Sequence, residues 1–326
     1  MTVIRSQLIG TGYKLPAKIL TNDDLSKMVE TNDEWISTRT GIRSRHIAAE
    51  GETTCDLSYD AALTAIENAG IKNSEIDFVI VATVTPDNTF PATAAKLAKR
   101  LELNPGTPAM DVNAACSGFV YASQIADNMI RLGQVKTALV IGAETLSKIT
   151  DWTDRNTCVL FGDGAGAAIF RAAEGTGDSS DTGILATKIY ADGSQYDPLC
   201  SDGGVSLNQK AGFIHMDGKE VFKVAIPSLV QGVEESLKIA GININEVNWY
   251  VPHQANLRII DSVAKKLEID MDKVVVTVDH HGNTSAASIP LALAESFAAG
   301  KFKKGDVIAI SAMGAGFTWG GMVIRI

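Results

Sequence analysis

The sequence is poor in three things, and each shortage removes a class of function. It has only four cysteines, Cys55, Cys116, Cys158 and Cys200. They are scattered with no C-x-x-C pair, which argues against a zinc site or a thioredoxin-like motif and for free thiols in a reducing compartment. No metal is expected. No run of about 18 apolar residues could cross a bilayer. The opening MTVIRSQLIG also lacks the apolar core and cleavage site of a secretory signal, so the cytoplasm is the expected location and no membrane partner is expected. Positive charge is the third shortage: 29 Lys and Arg stand against 38 Asp and Glu, a net charge of −9. A general nucleic-acid binder carries a basic surface instead.

What is present is ordinary globular material, 45% hydrophobic and 21% charged over 326 residues, enough for two domains or one double-lobed body. Strand and helix patterns alternate. Strands are expected at 76–84, 108–113 and 137–144, and helices at 92–103 and 117–133. The second half replays this order with strands at 247–253, 274–278 and 306–314 and helices at 255–267 and 285–300. The shift is constant: Asp77 and Asn248, Cys116 and Ala287, and Val135 and Asp306 are each 171 residues apart. The pattern predicts two similar α/β halves, 1–175 and 176–326, joined by the polar stretch 171–183. Segments 31–60 and 191–222 fit neither copy and are natural places for substrate contacts.

Cys116 follows a strand and opens a helix in MDVNAACSGF. A helix start presents free N–H groups and a positive dipole end. It favours a thiolate, the nucleophilic form, and its N–H groups can hold an oxyanion. Only five histidines are present. His253 ends a strand in VPHQAN, opposite Ala82 in the other copy, where α/β sheets gather ligands. Asn283, in HHGNTSAAS, precedes the twin of the cysteine helix. Taken singly, each has an ordinary structural explanation: a packed thiol, a satisfied core histidine, a helix cap. The repeat is what brings Cys116, His253 and Asn283 toward one cleft. Of two glycine-rich stretches, 312–321 is expected to be a turn between two strands, either letting the backbone approach a ligand closely or simply a tight hairpin, and FGDGAGAAIF (161–170) a structural turn. The second lacks the Gly-Lys-Ser/Thr of a phosphate loop.

The segments NDEWISTRTGIRSRH, DVNAACSGF, TDRNTCVLFGDGAG, VPHQANLRI, HGNTSAAS and GAGFTWG run through nearly the whole chain. Together they resemble the β-ketoacyl-[acyl-carrier-protein] synthase III family, the condensing enzymes that start bacterial fatty-acid synthesis. The resemblance implies an α/β thiolase-like fold, internally duplicated in five α-β-α-β-α layers, the first half carrying the nucleophile and the second the histidine and asparagine. It implies that an acyl-CoA, acetyl-CoA above all, acylates Cys116, and that decarboxylative condensation with malonyl-[acyl-carrier-protein] follows. His253 and Asn283 would bind the malonyl thioester carbonyl. The backbone N–H groups of Cys116 and Ala315 would hold the other oxyanion.

For CoA the resemblance implies Trp35 and Arg155 around the adenine, Arg39 near phosphate, and Gly218, Phe222 and Asn256 along the pantetheine. Arg258, Lys265 and Lys266 would dock the carrier protein. Phe90 would cross a homodimer interface into the partner's acyl pocket, and Met313 stands where the family commonly has phenylalanine. No cofactor is implied beyond the CoA thioester substrate. Competing readings are a related condensing enzyme of secondary metabolism, a non-catalytic carrier-protein-binding module and a cysteine hydrolase. The intact Cys, His and Asn speak against the module, and the absence of an evident additional acid or base speaks against the hydrolase.

Overall fold

The computed structural model describes residues 2–326. Nine strands form two sheets. The first contains β1 (Val3–Lys14), β2 (Phe78–Ala82), β3 (Ala109–Val112), β4 (Thr137–Thr145) and β5 (Asp163–Gly175), in the order β1-β5-β4-β2-β3. Its β2, β3 and β4 are parallel, while β5 and β1 run antiparallel. The second contains β6 (Gly183–Ala191), β7 (Trp249–Pro252), β8 (Val307–Gly314) and β9 (Thr318–Arg325), in the order β7-β8-β9-β6. There β7 and β8 are parallel and the others antiparallel. The two orders match when β2 is laid on β7, β4 on β8, β5 on β9 and β1 on β6.

Strand alternation explains why three apolar layers form. In β2, Phe78, Ile80 and Ala82 face the centre and Val79 and Val81 face outward. In β8, Ile308, Ile310 and Ala312 face the centre and Val307, Ala309 and Met313 face outward. The central cluster is filled by α4 (Gly118–Arg131) and α7 (Ser288–Ala298), lying between the sheets. Outside the first sheet lie α2 (Thr54–Ala69) and α3 (Thr93–Arg100). Outside the second lie α5 (Gly218–Ala240) and α6 (Leu257–Lys266). This gives five layers. The twin helices α2 and α5 begin inside 31–60 and 191–222, so those segments are only partly insertions. Their remainder forms α1 (Asp33–Thr40), the strand Ser44–Ile47, which pairs with Lys18–Thr21 outside the segment, and the short pair Leu199–Ser201/Ile214–Met216.

Three expectations need correction. The 274–278 stretch is a single bridge, Val274 to Tyr250, rather than a strand. The buried Gln254 side chain takes over its hydrogen bonds: Nε2 donates to Val275 O (3.0 Å), and Oε1 accepts from Thr277 N (2.8 Å) and Val278 N (3.1 Å). The stretch 161–170 is largely β5, not a turn. Its glycines admit α7: a Cβ on Gly166 would lie 2.5 Å from Leu291 N and from the Pro290 carbonyl carbon. Third, the twin of Cys116 is Ala286 rather than Ala287. Phe78 pairs with Ala138 and Trp249 with Ile308, so the second copy has one residue fewer between the paired positions. The left-handed residues agree with that slip: Ala115 at φ 45° matches Ser285 at φ 48°.

Candidate active site

The parallel strands β2, β3 and β4 end on the same side of the first sheet, where α/β sheets gather ligands. After β3 the chain makes a 3-10 turn, Ala115–Ser117, that lifts Cys116 ahead of α4. The left-handed Ala115 at φ 45° is a costly conformation for a residue with a Cβ, of the kind that collects at functional sites. The turn is tied down by two hydroxyls: Ser117 Oγ and Thr318 Oγ1 lie 2.7 Å apart, and both reach Ala114 O, at 2.7 and 3.0 Å. Gly314 presses from β8, where a Cβ would come within 2.5 Å of Cys116 N. The Cys116 thiol is almost entirely buried. Burial pushes it up to about 12, with the Ser285 hydroxyl opposing. The expected lowering by the helix start is therefore outweighed, and the resting thiol is protonated.

His253 ends β7, and its N–H donates to Ser311 O (2.8 Å), continuing the strand pairing. Its ring Nδ1 lies 2.7 Å from Ser288 Oγ, at the first residue of α7. That hydroxyl also accepts from Gln254 N at 3.3 Å. The hydroxyl proton has Nδ1 as its acceptor, so we assign the His253 proton to Nε2. Burial lowers the ring to about 3, so it is neutral at physiological pH. Asn283 is pinned by its backbone: its N–H donates to Leu160 O (2.8 Å), and Gly162 N–H donates to its carbonyl (3.0 Å). Its Oδ1 accepts from Ser285 N (2.9 Å), which turns the Nδ2 donors away and leaves them free.

Residues 283–288 are the hub. Asn283 Oδ1 accepts from Ser285 N, the Ser285–Ala287 turn packs against the Ala115–Ser117 turn that carries Cys116, and Ser288 holds His253. The arrangement presents one thiol and two neutral donors. Neither Cys116 N nor Ala315 N donates to a backbone carbonyl among the described residues outside regular helix and strand pairing, as suits donors for a developing oxyanion. Met313 is buried in the outer cluster with Tyr250 and Phe317.

The other residues singled out in the sequence lie nearer the surface. The Arg39 guanidinium stands 4.6 Å and that of Arg155 5.0 Å from the Trp35 ring centre. Two van der Waals contacts need roughly 7 Å, so a flat base could enter between Trp35 and Arg155 only if the arginine moved. Asn256 caps α6, accepting from Arg258 N (2.8 Å), and its Nδ2 donates to Arg39 O (3.1 Å). Gly218 opens α5, with the half-buried Phe222 one turn on. Arg258, Lys265 and Lys266 stand exposed on α6, opposite Ile259, Ile260 and Val263. Phe90 is 82% exposed.

Sequence reasoning missed Ser288, Ser285 and Gln254. The serines lay within a quoted motif, but nothing local assigned them partners.

Residues 110–193 match the family model of 3-oxoacyl-[acyl-carrier-protein] synthase III, and residues 237–326 match the model of its C-terminal part. The chain is 56% identical, over 99% of its length and 100% of the relative's, to a β-ketoacyl-[acyl-carrier-protein] synthase III of Paramagnetospirillum magneticum. Among solved structures it resembles the 3-oxoacyl-[acyl-carrier-protein] synthase III of Aquifex aeolicus, with a TM-score of 0.91, 48% identity and coverage of 98% and 100% of the two chains. It also resembles the priming β-ketosynthase of the R1128 polyketide pathway, with a TM-score of 0.92, 32% identity and coverage of 99% and 96%.

Proposed function

The chain belongs to the 3-oxoacyl-[acyl-carrier-protein] synthase III family, and from that premise we propose how its residues run the reaction. It is an acyltransferase of the condensing type that catalyses the initiating condensation of fatty-acid biosynthesis, with acyl-CoA and acyl carrier protein as substrates. The chemistry needs no resident cofactor, the CoA thioester being a substrate. The observation that carries the mechanism is the gathering of Cys116, His253 and Asn283 around the single 283–288 stretch, which contains Asn283, holds His253 through Ser288 and packs against the turn of Cys116.

Cys116 takes the acyl group, splitting one difficult transfer into two easier ones. Its own N–H and that of Ala315 hold the oxyanion of this step. Malonyl-carrier protein then enters, and its thioester carbonyl accepts from His253 Nε2–H and Asn283 Nδ2–H. As carbon dioxide leaves, the carbonyl oxygen gains enolate charge, which the two donors stabilise chiefly in the transition state. A neutral histidine suits this step because it donates a hydrogen bond without surrendering its proton. The carbanion attacks the acyl carbon and expels Cys116.

Acetyl-CoA is the proposed primer. Trp35, Arg39 and Arg155 take the CoA nucleotide, by stacking and charge. Gly218, Phe222 and Asn256 border the pantetheine arm. Arg258, Lys265 and Lys266, which make no ion pair among the described residues, meet the acidic carrier protein. The protein works as a homodimer, a reading supported by the free edge of β3 and the bare Phe90, both unfavourable on an isolated surface. Residues 1–175 and 176–326 act as its two duplicated halves. Among the described residues no helix is long and apolar enough to cross a membrane, and we place the protein in the cytoplasm.

The likeness to a polyketide priming enzyme favours, as second reading, a condensing enzyme of secondary metabolism. Met313 in the acyl region, softer and more adaptable than phenylalanine, bears on the primer. A panel of straight and branched acyl-CoAs with malonyl-carrier protein separates the two. Turnover highest with acetyl-CoA supports the first reading, and turnover confined to longer or branched primers overturns it.

A further inference from the structure

Arg45 is wholly buried in the strand Ser44–Ile47, and the mechanism above does not use it. Burial lowers it to about 10, so it is still a cation at physiological pH. Its Nη1 donates to Leu20 O (3.2 Å) and Asn22 Oδ1 (2.9 Å), its Nη2 donates to Val159 O (2.7 Å), and its Nε makes no hydrogen bond. None of these partners is a carboxylate. A buried cation without a counter-ion is costly, and an apolar side chain of similar volume is often as stable or more so. The reason for a guanidinium here lies in what its fork holds.

Val159 leads directly into the segment on which Asn283 hangs. Asn283 N donates to Leu160 O and Gly162 N donates to Asn283 O, on either side of a parallel bridge between Phe161 and Asn283. Nη2 fixes the carbonyl one residue before the first of these bonds. The Arg45 stem closes the other side. A Cβ on Gly162 or on Gly282 would lie 3.0 Å from Arg45 Cβ, so the glycine next to each bridged residue is bare where the arginine passes. The residues before Arg45 keep the same contact: Arg43 N donates to Asp279 O (2.7 Å) and Ser44 Oγ to His280 O (3.4 Å). Cys116 and His253 are held by other groups, the turn of Cys116 by Ser117 and Thr318, and His253 by Ser288. Arg45 therefore bears on one of the two donors alone.

We propose that Arg45 is a positioning residue for the condensation: it fixes the 159–162 segment and, through it, the aim of Asn283 Nδ2 at the enolate oxygen. This rests on the acyl-transfer reading above. A stabilising donor must stand at hydrogen-bond distance from the place where charge develops, and a misplacement of about 1 Å can cost about a hundredfold in rate. The bonds from a guanidinium are charge-assisted and stronger than neutral ones, which suits a group that must hold a carbonyl still. The coenzyme side does not depend on it: Asn22 Nδ2 donates to Asp33 Oδ1 (2.8 Å) and Ile42 O (2.8 Å) whatever stands at position 45, so α1 and Trp35 keep their place.

The test uses full-length Arg45→Lys and Arg45→Met. Lysine keeps the cation and the stem, but one ammonium cannot span the Asn22 and Val159 sides that the planar fork reaches together. Methionine keeps the stem and removes every donor. Decarboxylation of malonyl-carrier protein and acylation by saturating acetyl-CoA are measured separately. Decarboxylation should fall by at least about tenfold in Arg45→Lys and further in Arg45→Met, while acylation stays within about twofold. An Asn283→Ala background separates aim from fold: with the donor gone, Arg45→Lys should change decarboxylation by less than about twofold. Should Arg45→Met fail to fold, Arg45→Lys and this double variant decide alone. Wild-type decarboxylation in Arg45→Lys, equal slowing of both half-reactions, or an undiminished further loss in the Asn283→Ala background overturns the proposal. A wild-type protein that is never acylated on Cys116 would refute the acyl-transfer reading instead.

Discussion

Removing the hydroxyl of Ser288 isolates one part of the mechanism. In Ser288→Ala two buried groups lose their partner: His253 Nδ1, at 2.7 Å, and Gln254 N, at 3.3 Å. Orphaning a buried polar group costs about 1–3 kcal/mol, so the variant should unfold at lower temperature. The kinetic effect is more specific. With Nδ1 unheld, the imidazole divides between its two tautomers, and an even division alone removes the Nε2–H donor from about half the molecules. Poorer aim of the ring adds to this, and each 1.4 kcal/mol of lost transition-state stabilisation is about tenfold in rate. Decarboxylation of malonyl-carrier protein should therefore fall by about tenfold, while acylation of Cys116, which does not use His253, should stay within about twofold. The two rates are measured separately, by release of labelled carbon dioxide and by transfer of label from acetyl-CoA. Nitrogen chemical shifts of the His253 ring should report Nε2–H in the wild type and a mixture in the variant. Equal slowing of both half-reactions, or a wild-type tautomer in the variant, would refute the assigned role of Ser288.

Two further perturbations probe the frame. Gly166→Ala drives a Cβ into the α7 backbone, 2.5 Å from Leu291 N; overpacking of this kind should cost about 1–3 kcal/mol, read as a lowered midpoint in denaturant, and an unchanged midpoint would mean that the sheet and helix are not so closely set. His280 is raised to about 10 by Asp279 and then Glu295. A group whose folded value lies above its unfolded one of about 6.5 gives stability that is full below pH 6.5 and lost as pH rises toward 10. Stability should decline over that window, and His280→Gln should flatten the decline; an identical slope in the variant would contradict the pairing.

The periodicities carried most of the fold because they reflect burial directly. Strands with both faces covered appear as apolar runs, so 76–84 and 306–314 were legible. The stretch 274–278 is equally apolar and β-branched yet forms no strand, because one distant side chain, Gln254, satisfies its backbone, and no window of local sequence contains that partner. The glycines of 161–170 resembled a turn for a similar reason: they are spaced for the approach of α7, which lies about 125 residues further along the chain. The reactive thiol could be found from its place at a helix start. Its protonation could not, since burial is a property of the assembled layers, and Ser288 acquires its role only when the start of α7 packs beside the end of β7.

The central claim is that Cys116 carries the acyl group, and mapping the adduct tests it most directly. The protein is incubated with radiolabelled acetyl-CoA, quenched and digested, and the labelled peptide is identified. Label on the peptide containing Cys116, lost in Cys116→Ser and retained in His253→Ala and Asn283→Ala, is the expected result. Label elsewhere, or none at all, would contradict the account.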